Sequence, residues 1–327
     1  MGPVSEDLYD VVVVGGGAAG LSAGLILAQA QCRMAVVDAG VPRNRFDGQM
    51  HGYLSRDGLA PQEFLRLGRQ EVADAGAELI QARVTGAERE GDEQAPRFTL
   101  HTDQGHALRT RRVVVATGLT DELPAVEGLD PYWGHAVFHC PYCHGVQITS
   151  DLVVGVLAVG PDSVMEAHLL LQWAEQVILL TDDRLELTDE DRAGLDARGI
   201  AVVEGKVVSV EGDGEQLTCA VHADGSRTPL DELLIAPTVH INRDVLDLLG
   251  VEVLEESDDE GTVVPTEPSG LTSVPGVYAA GNVRANNVQV IEAAAEGLNA
   301  AVAVNASLAL ERARDAVRSR LDPRSAP

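Results

Sequence analysis

The feature that most constrains the fold of this chain is a glycine-rich turn, Gly15-Gly16-Gly17-Ala18-Ala19-Gly20, between an apolar strand pattern and an apolar helix pattern. Residues 9–14 suit a buried strand, residues 21–30 a helix and residues 33–38 a second strand. Such glycines let the backbone approach a pyrophosphate, which the helix N-terminus then binds through its N–H groups. Asp38, at the end of the second strand, is placed to accept hydrogen bonds from a ribose. The pattern predicts a βαβ dinucleotide-binding unit.

A second pattern of strand, turn, helix and strand occupies residues 152–180. Where a nicotinamide site would have the spacing GxGxxG or GxGxxA, this chain has Ala158, Gly160 and Ser163. Pro161 removes one further backbone N–H from the turn. This second turn is therefore a degenerate version of the first.

The residues after the second unit, Thr181-Asp182-Asp183-Arg184, also disfavour NADPH. A 2′-phosphate needs arginine or lysine, whereas two carboxylates would repel it by about 1 kcal/mol per charge near the surface. We therefore expect a domain that has kept the dinucleotide-binding fold and lost its cofactor site. A weak NADH site is the alternative.

Later segments favour FAD over a nicotinamide at the first turn. Thr117-Gly118 follows a strand over residues 112–116 and matches a second flavin-contact turn. A strand ending at residues 278–282 would bring a polar side chain to the ribityl chain. A helix beginning near Val288 would direct its N-terminus at the flavin N1/O2 edge and stabilise negative charge there. Each element alone is equally consistent with an ordinary core strand or hairpin, but together they favour FAD.

The two units predict an α/β protein with two Rossmann-like, three-layer ββα dinucleotide-binding domains. We expect residues 1–120 and 241–327 to form a discontinuous FAD-binding domain, and residues 121–240 to form the degenerate NAD(P)H-type domain. Residues 98–101 alternate as an exposed strand would. The apolar stretch 290–310 is interrupted by glutamate and asparagine and reads as a buried helix.

The middle of the chain carries Cys140-Pro141-Tyr142-Cys143, two thiols at CxxC spacing, followed directly by His144. Such a pair closes a tight disulfide, and a proline suits the first turn of a helix, which puts Cys140 near an N-cap that favours the thiolate. His144 has a side chain that titrates near neutrality, so it is a candidate proton carrier in thiol–disulfide exchange. A purely structural histidine is an equal alternative.

The other cysteines do not suggest a disulfide framework. Cys32 and Cys219 lie in apolar contexts and read as small buried side chains. A zinc site would need a second CxxC or a paired-histidine motif, and the chain has neither, although His135 and His139 lie near the cysteine pair. We expect no metal, and we treat these two histidines as weaker candidates for proton transfer.

The charge of the chain limits its partners. A net charge of −27 and a single lysine, Lys206, argue against nucleic acid, which binds through clustered lysine and arginine. The sequence opens without a basic and apolar leader pattern, and it has no uncharged apolar run of about 18 residues. We therefore expect a cytoplasmic protein without a membrane partner.

With these motifs in place, the chain resembles the low-molecular-weight thioredoxin reductase family along nearly its whole length. It is most similar to the FAD-dependent dithiol oxidases that close disulfides in holomycin- and gliotoxin-type natural products. The segments that carry this likeness are Asp38-Ala39-Gly40, Pro42-Arg43-Asn44, His51-Gly52, Asp57-Gly58 and Cys140-Pro141-Tyr142-Cys143-His144-Gly145.

The chain departs from the reductases of the main family, which usually carry a complete NADPH motif and a basic pair where this chain has Ala158 and Asp182-Asp183. His144 stands where they usually carry aspartate. Their Gly-Asp at the flavin site is Gly281-Asn282 here, and their Arg-Gln before the last helix is Val288-Gln289. Asparagine still has the hydrogen-bonding capacity to contact the ribityl chain.

The resemblance implies a thioredoxin-reductase-like fold, FAD as the cofactor and a homodimer. It also implies that Cys140 and Cys143 are redox-active, that Cys143 passes electrons to the flavin and that His144 moves protons. The cofactor contacts that it implies are Gly15, Gly17, Ala18, Ala19, Gly20, Asp38, Asn44, His51, Val84, Ala116, Thr117, Gly118, Gly281, Asn282, Gln289 and Val290.

The expected activity is oxidation of a dithiol to a disulfide with oxygen as electron acceptor. The partner would be a small-molecule dithiol or a thioredoxin-like protein. Two alternatives remain open. One is a thioredoxin-reductase-like enzyme that reduces a protein disulfide with NADH or with a protein donor such as ferredoxin. The other is a non-enzymatic flavin redox sensor.

Overall fold

The computed structural model describes residues 8–214, 216–255, 262–285 and 287–321, and these fall into two compact units. The first unit takes the described residues of Met1–Arg43, Gln62–Thr120 and Val239–Pro327. The second takes Asn44–Pro61 and the described residues of Asp121–Thr238. The first unit is thus discontinuous in sequence.

Residues 44–61 belong to the second unit, not to the first as the sequence predicts. The physical reason is a close backbone contact: a Cβ built on Gly134 would lie 2.6 Å from the Cβ of Phe46. Gly134 has φ +83°, a left-handed conformation that glycine adopts without strain. Packing therefore ties this connection to the second unit, although its neighbours in sequence lie in the first.

The α-helices are α1 (Ala18–Gln29), α2 (Pro61–Asp74), α3 (Pro141–His144), α4 (Asp162–Leu170), α5 (Asp189–Ala197), α6 (Asp244–Leu249) and α7 (Val290–Leu321). The strands are β1 (Tyr9–Val14), β2 (Met34–Asp38), β3 (Glu78–Gln81), β4 (Val84–Glu90), β5 (Arg97–Thr102), β6 (Ala107–Val115), β7 (Leu119–Glu122), β8 (Val137–Phe138), β9 (Val153–Leu157), β10 (Gln176–Leu180), β11 (Ala201–Val203), β12 (Val207–Asp213), β13 (Gln216–His222), β14 (Arg227–Pro229), β15 (Glu232–Leu234), β16 (Thr238–Ile241), β17 (Leu254–Glu255), β18 (Thr262–Val263) and β19 (Val277–Ala279). Two short sheets pair β7 with β16 and β17 with β18.

The first unit is built on a seven-stranded sheet in the order β3-β2-β1-β6-β5-β4, with β19 paired to β6. Strands β1, β2, β3, β6 and β19 are mutually parallel where they pair, and β4 and β5 run antiparallel. The valine run Val11–Val14 is buried on both faces, which is why the central strand reads as a continuous apolar segment. The carboxyl ends of β1, β2, β6 and β19 meet at one edge, where an open parallel sheet binds its ligand.

Strand β5 differs from the sequence prediction in its burial. The strand forms, but Phe98 and Leu100 are buried, so only one face of the segment is open. Both side chains join a core cluster with Leu108 and Val113 of β6. An alternating strand with one buried face is indistinguishable from an exposed one until its neighbours are known.

Helices α1 and α7 are in direct contact. A Cβ on Gly297 of α7 would overlap the carbonyl oxygen of Ala19, so the two backbones touch there. Ala300, Val304 and Leu308 are fully buried in the same cluster as α1. By length and composition α7 could cross a membrane. The sequence predicts a buried helix over 290–310, but only one face of α7 packs in this core, and Ile291, Leu298 and Val302 are exposed.

The second unit has a five-stranded parallel sheet in the order β11-β10-β9-β15-β8 and a three-stranded antiparallel sheet of β12, β13 and β14. Its β9–α4–β10 unit is the second βαβ pattern of the sequence. Helix α4 covers Asp162–Leu170, so it starts earlier and ends earlier than the predicted 164–175. The CxxC segment follows β8, the edge strand of this sheet.

Candidate functional site

The glycine turn after β1 has the shape of a pyrophosphate cradle. Gly15 has φ +108°, and a Cβ there would overlap the carbonyl oxygen of Ala116. A Cβ on Gly20 would overlap the carbonyl oxygen of Gly15, so α1 lies directly against the turn. A Cβ on Gly17 would meet nothing within 4 Å, because that side of the turn is open. The turn therefore has room for a ligand in front of the N-terminus of α1.

Asp38 ends β2 beside this turn. A Cβ on Gly16 would lie 2.5 Å from Asp38 Oδ2, so the carboxylate sits against the glycine run. Its Oδ1 accepts a 3.2 Å hydrogen bond from the Gly40 N–H, and its Oδ2 accepts a 2.9 Å bond from Arg69 Nη2. A carboxylate has about four acceptor positions, so capacity remains for ribose hydroxyls.

The turn at Thr117-Gly118 is held by a residue to which the sequence alone assigns no role. Asn242 donates its Nδ2 to the Thr117 carbonyl oxygen at 2.8 Å and its backbone N–H to the Gly118 carbonyl oxygen at 2.9 Å. Thr117 Oγ1 donates in return to the Asn242 carbonyl oxygen at 2.9 Å. These residues are 125 positions apart, and no local pattern links them.

The late strand β19 brings Gly281 to the same edge of the sheet. Gly281 has φ +78°, and its N–H donates to Glu296 Oε2 at 2.7 Å. Asn282 follows in a 3₁₀ turn. Helix α7 begins at Val290, two residues after the predicted start, and Glu292 Oε2 accepts from the Gln289 N–H at 2.8 Å. Glu296 is a second residue that the sequence pattern does not single out.

Three residues predicted to contact the cofactor belong to none of the segments that form this cradle. Val84 begins β4 and is buried. Asn44 and His51 belong to the second unit. His51 Nδ1 lies 3.4 Å from Asp57 Oδ2, while its Nε2 is buried and has no hydrogen-bond partner among the described residues. An orphaned buried nitrogen fits a side chain that contacts a bound group, and the roles of these three residues remain predictions.

The cysteine pair occupies a single helical turn. Cys140 is the N-cap of α3 and Pro141 its first residue, and the N–H groups of Cys143 and His144 both donate to the Cys140 carbonyl oxygen at 3.1 Å. Both cysteines are partly exposed. Tyr142, between them, is 60% exposed and meets Trp173 edge-on at 5.3 Å.

A pocket opens beside the two thiols. Its walls are Asp47, Gln49, Trp133, Gly134, Phe138, His139, Cys140, Cys143, His144 and Gln147. His139 is thus close to the thiols, whereas His135 is exposed and is not among these walls. The walls combine aromatic rings with amide and carboxylate groups, which suits a small, partly polar ligand.

His144 is buried against the floor of this pocket. Its ring stacks on Phe138 with centroids 4.3 Å apart, and its Nε2 lies 3.3 Å from Glu232 Oε2. The two atoms are within range, yet they are not aligned well enough for a hydrogen bond. Glu232 begins β15, 88 positions away from His144, and the sequence pattern gives no sign of this contact.

The turn after β9 differs from the first glycine turn in its hydrogen bonds, although Gly160, like Gly17, has nothing within 4 Å of where a Cβ would be. Ser163 is buried, and its Oγ accepts the Val159 N–H at 3.1 Å. Pro161 is the N-cap of α4, and Asp162 stands in the first helical turn. Burial and the charge of Asp162 raise the pKa of the Glu166 carboxyl above its ordinary value. The Val159 N–H is thus occupied, Pro161 has no N–H, and the carboxyl groups of Asp162 and Glu166 lie in the first part of α4.

Only one of the two carboxylates expected to repel a phosphate is a surface charge, so that expectation is wrong for Asp182. Asp182 is buried, with Lys206 Nζ at 2.7 Å, the Val207 N–H at 2.8 Å and Arg184 Nε at 3.2 Å from its carboxylate. Its charge is therefore compensated inside the fold, and only Asp183 is exposed. What remains against a nicotinamide at the turn after β9 is the occupied Val159 N–H and the missing N–H of Pro161.

The remaining cysteines are structural. Cys32 and Cys219 are both buried, and burial, with the nearby Asp10 charge, raises the pKa of the Cys32 thiol. Within the described ranges, no group of three or more histidine, cysteine, aspartate and glutamate side chains is arranged to hold a metal ion.

Comparison with known proteins places the chain in a family. The sequence profile of the pyridine nucleotide-disulphide oxidoreductases matches residues 9–297. A protein named thioredoxin reductase sirT, from Leptosphaeria maculans, is 29% identical over 310 residues, covering 91% of this chain and 94% of that protein. Thioredoxin reductase tcpT from Claviceps purpurea is 29% identical over 303 residues, covering 85% of this chain and 87% of that protein.

Solved structures agree with this placement. The crystal structure of HlmI is 44% identical with a TM-score of 0.89, and the match covers 98% of both chains. An oxidoreductase from Agrobacterium tumefaciens is 33% identical with a TM-score of 0.84, covering 93% of this chain and 99% of that one. With a glycine cradle that fits FAD and an intact CxxC turn, this chain belongs to the pyridine nucleotide-disulphide oxidoreductase family and is a thioredoxin-reductase-like, FAD-binding oxidoreductase.

Proposed function

We propose that this enzyme oxidises dithiols to disulfides through Cys140 and Cys143 and delivers the electrons to oxygen. The net reaction converts one dithiol and one O₂ into one disulfide and one H₂O₂. The observation that carries the proposal is the contrast between two turns of the second unit. The turn that bears the thiols is open, with both cysteines partly exposed beside a pocket. In the turn that would bind a nicotinamide coenzyme, the Val159 N–H already donates to Ser163 Oγ.

The chain's own residues account for the exchange of disulfides. A substrate thiolate attacks the Cys140 sulfur of a Cys140–Cys143 disulfide, and the Cys143 thiolate leaves. The second substrate thiolate then attacks the substrate sulfur of the mixed disulfide, releasing the product disulfide and the Cys140 thiolate. His144 lines the same pocket and takes up a proton from the substrate thiols.

FAD, when bound, accepts the electron pair from the reduced cysteines and passes it to oxygen. The residues that would hold it are those of the cradle: Gly15, Gly17 and Gly20 for the pyrophosphate and Asp38 for the ribose. Thr117-Gly118 and the N-terminus of α7 would complete the site. The hydrogen bonds between Thr117 and Asn242 keep this second turn in place.

An anaerobic spectral titration tests the proposal. Dithiothreitol serves as the dithiol probe and is expected to bleach the flavin absorbance near neutral pH. Admitting air should restore the absorbance and produce one H₂O₂ per turnover. NADH and NADPH are expected to bleach it at least about 100-fold more slowly, because the Val159 N–H of their turn is occupied by Ser163 and Pro161 has no N–H to offer. Absence of bleaching by dithiols would rule out the proposal.

A reductase is the second candidate function, favoured by the names of the curated relatives, which are thioredoxin reductases. It would run electrons from a coenzyme or a protein donor to the disulfide of a thioredoxin-like partner. The same titration separates the two functions. Rapid bleaching by NADPH or NADH, followed by reduction of thioredoxin, would favour the reductase.

We also propose a homodimer that uses the outer face of α7. Ile291, Leu298 and Val302 are exposed on the side of α7 opposite its buried alanines and Val304. A second copy with a net charge of −27 would bind through apolar rather than ionic contacts. Light scattering should give twice the monomer mass, and Val302→Glu should lower the dimer affinity. A monomer at all concentrations would contradict the homodimer.

A further inference from the structure

A buried carboxylate faces the histidine of the thiol pocket. His144 and Glu232 retain only 8% and 9% of their surface. Their Nε2 and Oε2 atoms lie 3.3 Å apart. Among the described residues, neither atom has a hydrogen-bond partner. The two atoms are therefore in close polar contact inside the fold.

The sheet explains how Glu232 reaches this place. Side chains alternate along a strand, so Glu232 and Leu234 of β15 share a face. Leu234 pairs with Phe138 of β8, and the Phe138 ring carries the stacked imidazole of His144. Phe138 and Leu234 belong to one core cluster. Glu232 thus projects from the start of a core strand toward His144 in the pocket wall.

Packing alone does not account for a glutamate there. Burying an ionised carboxylate without a full set of partners is unfavourable, and an apolar residue of similar volume is often at least as stable. A single poorly aligned contact to a neutral imidazole offsets little of that cost. The contact becomes strong only when the imidazole carries a proton on both nitrogens and a positive charge.

We infer that Glu232 is the positioning residue of His144. Its carboxylate holds the Nε2–H of the imidazole and leaves Nδ1 to exchange protons with the thiols of the pocket. The inference rests on the proposed dithiol chemistry, in which the two S–H protons of the substrate need acceptors in the pocket. One stays on a cysteine thiol and one is taken by His144, while the electron pair remains on the cysteine sulfurs.

In this arrangement the imidazolium is formed beside a carboxylate. The ion pair stabilises the state with one thiolate and one protonated His144, which is the reduced form that the next step needs. Active-site contacts that are long in the free enzyme commonly tighten when the charged state forms. Glu232 therefore acts through His144 and touches neither substrate nor cofactor.

A double-mutant cycle in the full-length flavoprotein tests this role. Glu232→Gln removes the charge and keeps the shape, and His144→Gln removes the imidazole. Two rates are measured for each variant: anaerobic flavin bleaching by dithiothreitol, and alkylation of the reduced Cys140 and Cys143 by iodoacetamide. The pocket also contains Asp47 and His139, so the cycle isolates the pair better than a pH profile would.

The expected result is a loss of about 10- to 100-fold in both rates for Glu232→Gln, with little further loss in the His144→Gln background. Glu232→Asp keeps the negative charge on a side chain one methylene shorter, so its carboxylate lies farther from His144. This variant should recover part of the rate. The matched control is Glu204→Gln, an exposed carboxylate of the same unit that pairs with Arg192, and its rates should equal those of the wild type.

Other outcomes overturn the inference. Wild-type rates in a folded Glu232→Gln protein, or an equal loss with and without His144, would show that Glu232 does not act through the imidazole. If Glu232→Gln does not fold, ¹⁵N NMR of the wild-type histidines decides: the inference requires the Nε2–H tautomer of His144, and the Nδ1–H tautomer contradicts it. A wild-type enzyme that ignores dithiols but shows Glu232-dependent alkylation would refute the proposed function and leave this inference standing.

Discussion

Lys206, the only lysine of the chain, donates a 2.7 Å hydrogen bond to the buried carboxylate of Asp182. The same carboxylate accepts the Val207 N–H at 2.8 Å and lies 3.2 Å from Arg184 Nε. Asp182 has φ +52° and Asp183 φ +55°, so the chain makes a left-handed turn after β10. The acidic pair that the sequence presents as a surface charge is thus partly an internal structural element.

Substitution of Asp182 is expected to destabilise the second unit. Asp182→Ala removes three polar contacts and leaves the buried Val207 N–H unsatisfied. It also places alanine in a left-handed conformation, so the free energy of unfolding should fall by about 3 kcal/mol. Asp182→Asn keeps an acceptor and tolerates this backbone, so it should lose about half as much. Urea unfolding measures both. Asp183→Asn, exposed in the same turn, is the control and should stay within about 0.5 kcal/mol of the wild type.

The last part of α7 is expected to depend on Glu311. This buried carboxylate lies 2.7 Å from Arg97, 2.6 Å from Arg111 and 2.9 Å from Arg112. Glu311→Gln leaves Arg112 buried without its countercharge, so unfolding should become easier by about 3 kcal/mol. The control is Glu88→Gln, whose carboxylate is exposed beside His101. Equal melting of the two variants would contradict the structural role of the cluster.

The same carboxylate predicts how stability depends on acid. Burial would raise the pKa of Glu311, but the hydrogen bond from Arg97 and the charges of Arg112 and Arg97 outweigh it and hold that pKa below its ordinary value. The folded state therefore binds this proton less readily than the unfolded state. Its stabilisation is complete above the ordinary carboxyl pKa of about 4.3 and is lost as the pH falls through the lower folded value. Glu311→Gln should flatten the acid limb of a stability–pH curve.

Glu166 should behave in the opposite sense. Burial, and then the charge of Asp162, raise the pKa of the Glu166 carboxyl in the folded protein. The folded state binds this proton more readily, so the group contributes stability at low pH that is lost as the pH rises through the raised value. Glu166→Gln is therefore expected to be more stable than the wild type at about pH 7 and equal to it below the ordinary carboxyl pKa of about 4.3. A gain that persists in acid would refute the assignment.

The two cysteines are expected to differ in their reaction with Ellman's reagent. In the reduced wild type, the adduct formed at Cys140 is resolved by Cys143, so about two thionitrobenzoate ions are released for each cysteine pair. Cys143→Ser should release one and retain a stable adduct at Cys140, detectable by intact mass. Cys32 and Cys219 are buried and should stay unlabelled in the native protein. Faster labelling of Cys143 in a Cys140→Ser variant would place the first attack on the other cysteine.

Local sequence patterns are sufficient for the first strand, the glycine turn and the CxxC helix. The valine run of β1 is long and continuous, the glycines follow it directly, and Pro141 marks the first residue of α3. Each of these features depends on neighbours within a few positions, where residue spacing carries the physical information.

Contacts between distant residues are beyond such patterns. Nothing near Asn242 indicates that it binds Thr117, and nothing near Glu232 indicates that it faces His144. The burial of Phe98 depends on its partner strands, and the burial of Asp182 depends on Lys206. Residues 44–61 likewise join the second unit through packing on Gly134, which only the folded chain reveals. The sequence therefore identifies the reacting groups but not the residues that hold them.

The contact between Gly297 and Ala19 has a consequence for biosynthesis. Helix α7 and strand β19 come from the end of the described chain, yet they pack against α1 and pair with β6, the elements that shape the dinucleotide turn. While the ribosome is still making the middle of the protein, that turn lacks its supporting wall. Binding of the flavin at that turn is therefore expected to require β19 and α7, and a product that stops before β19 should be colourless.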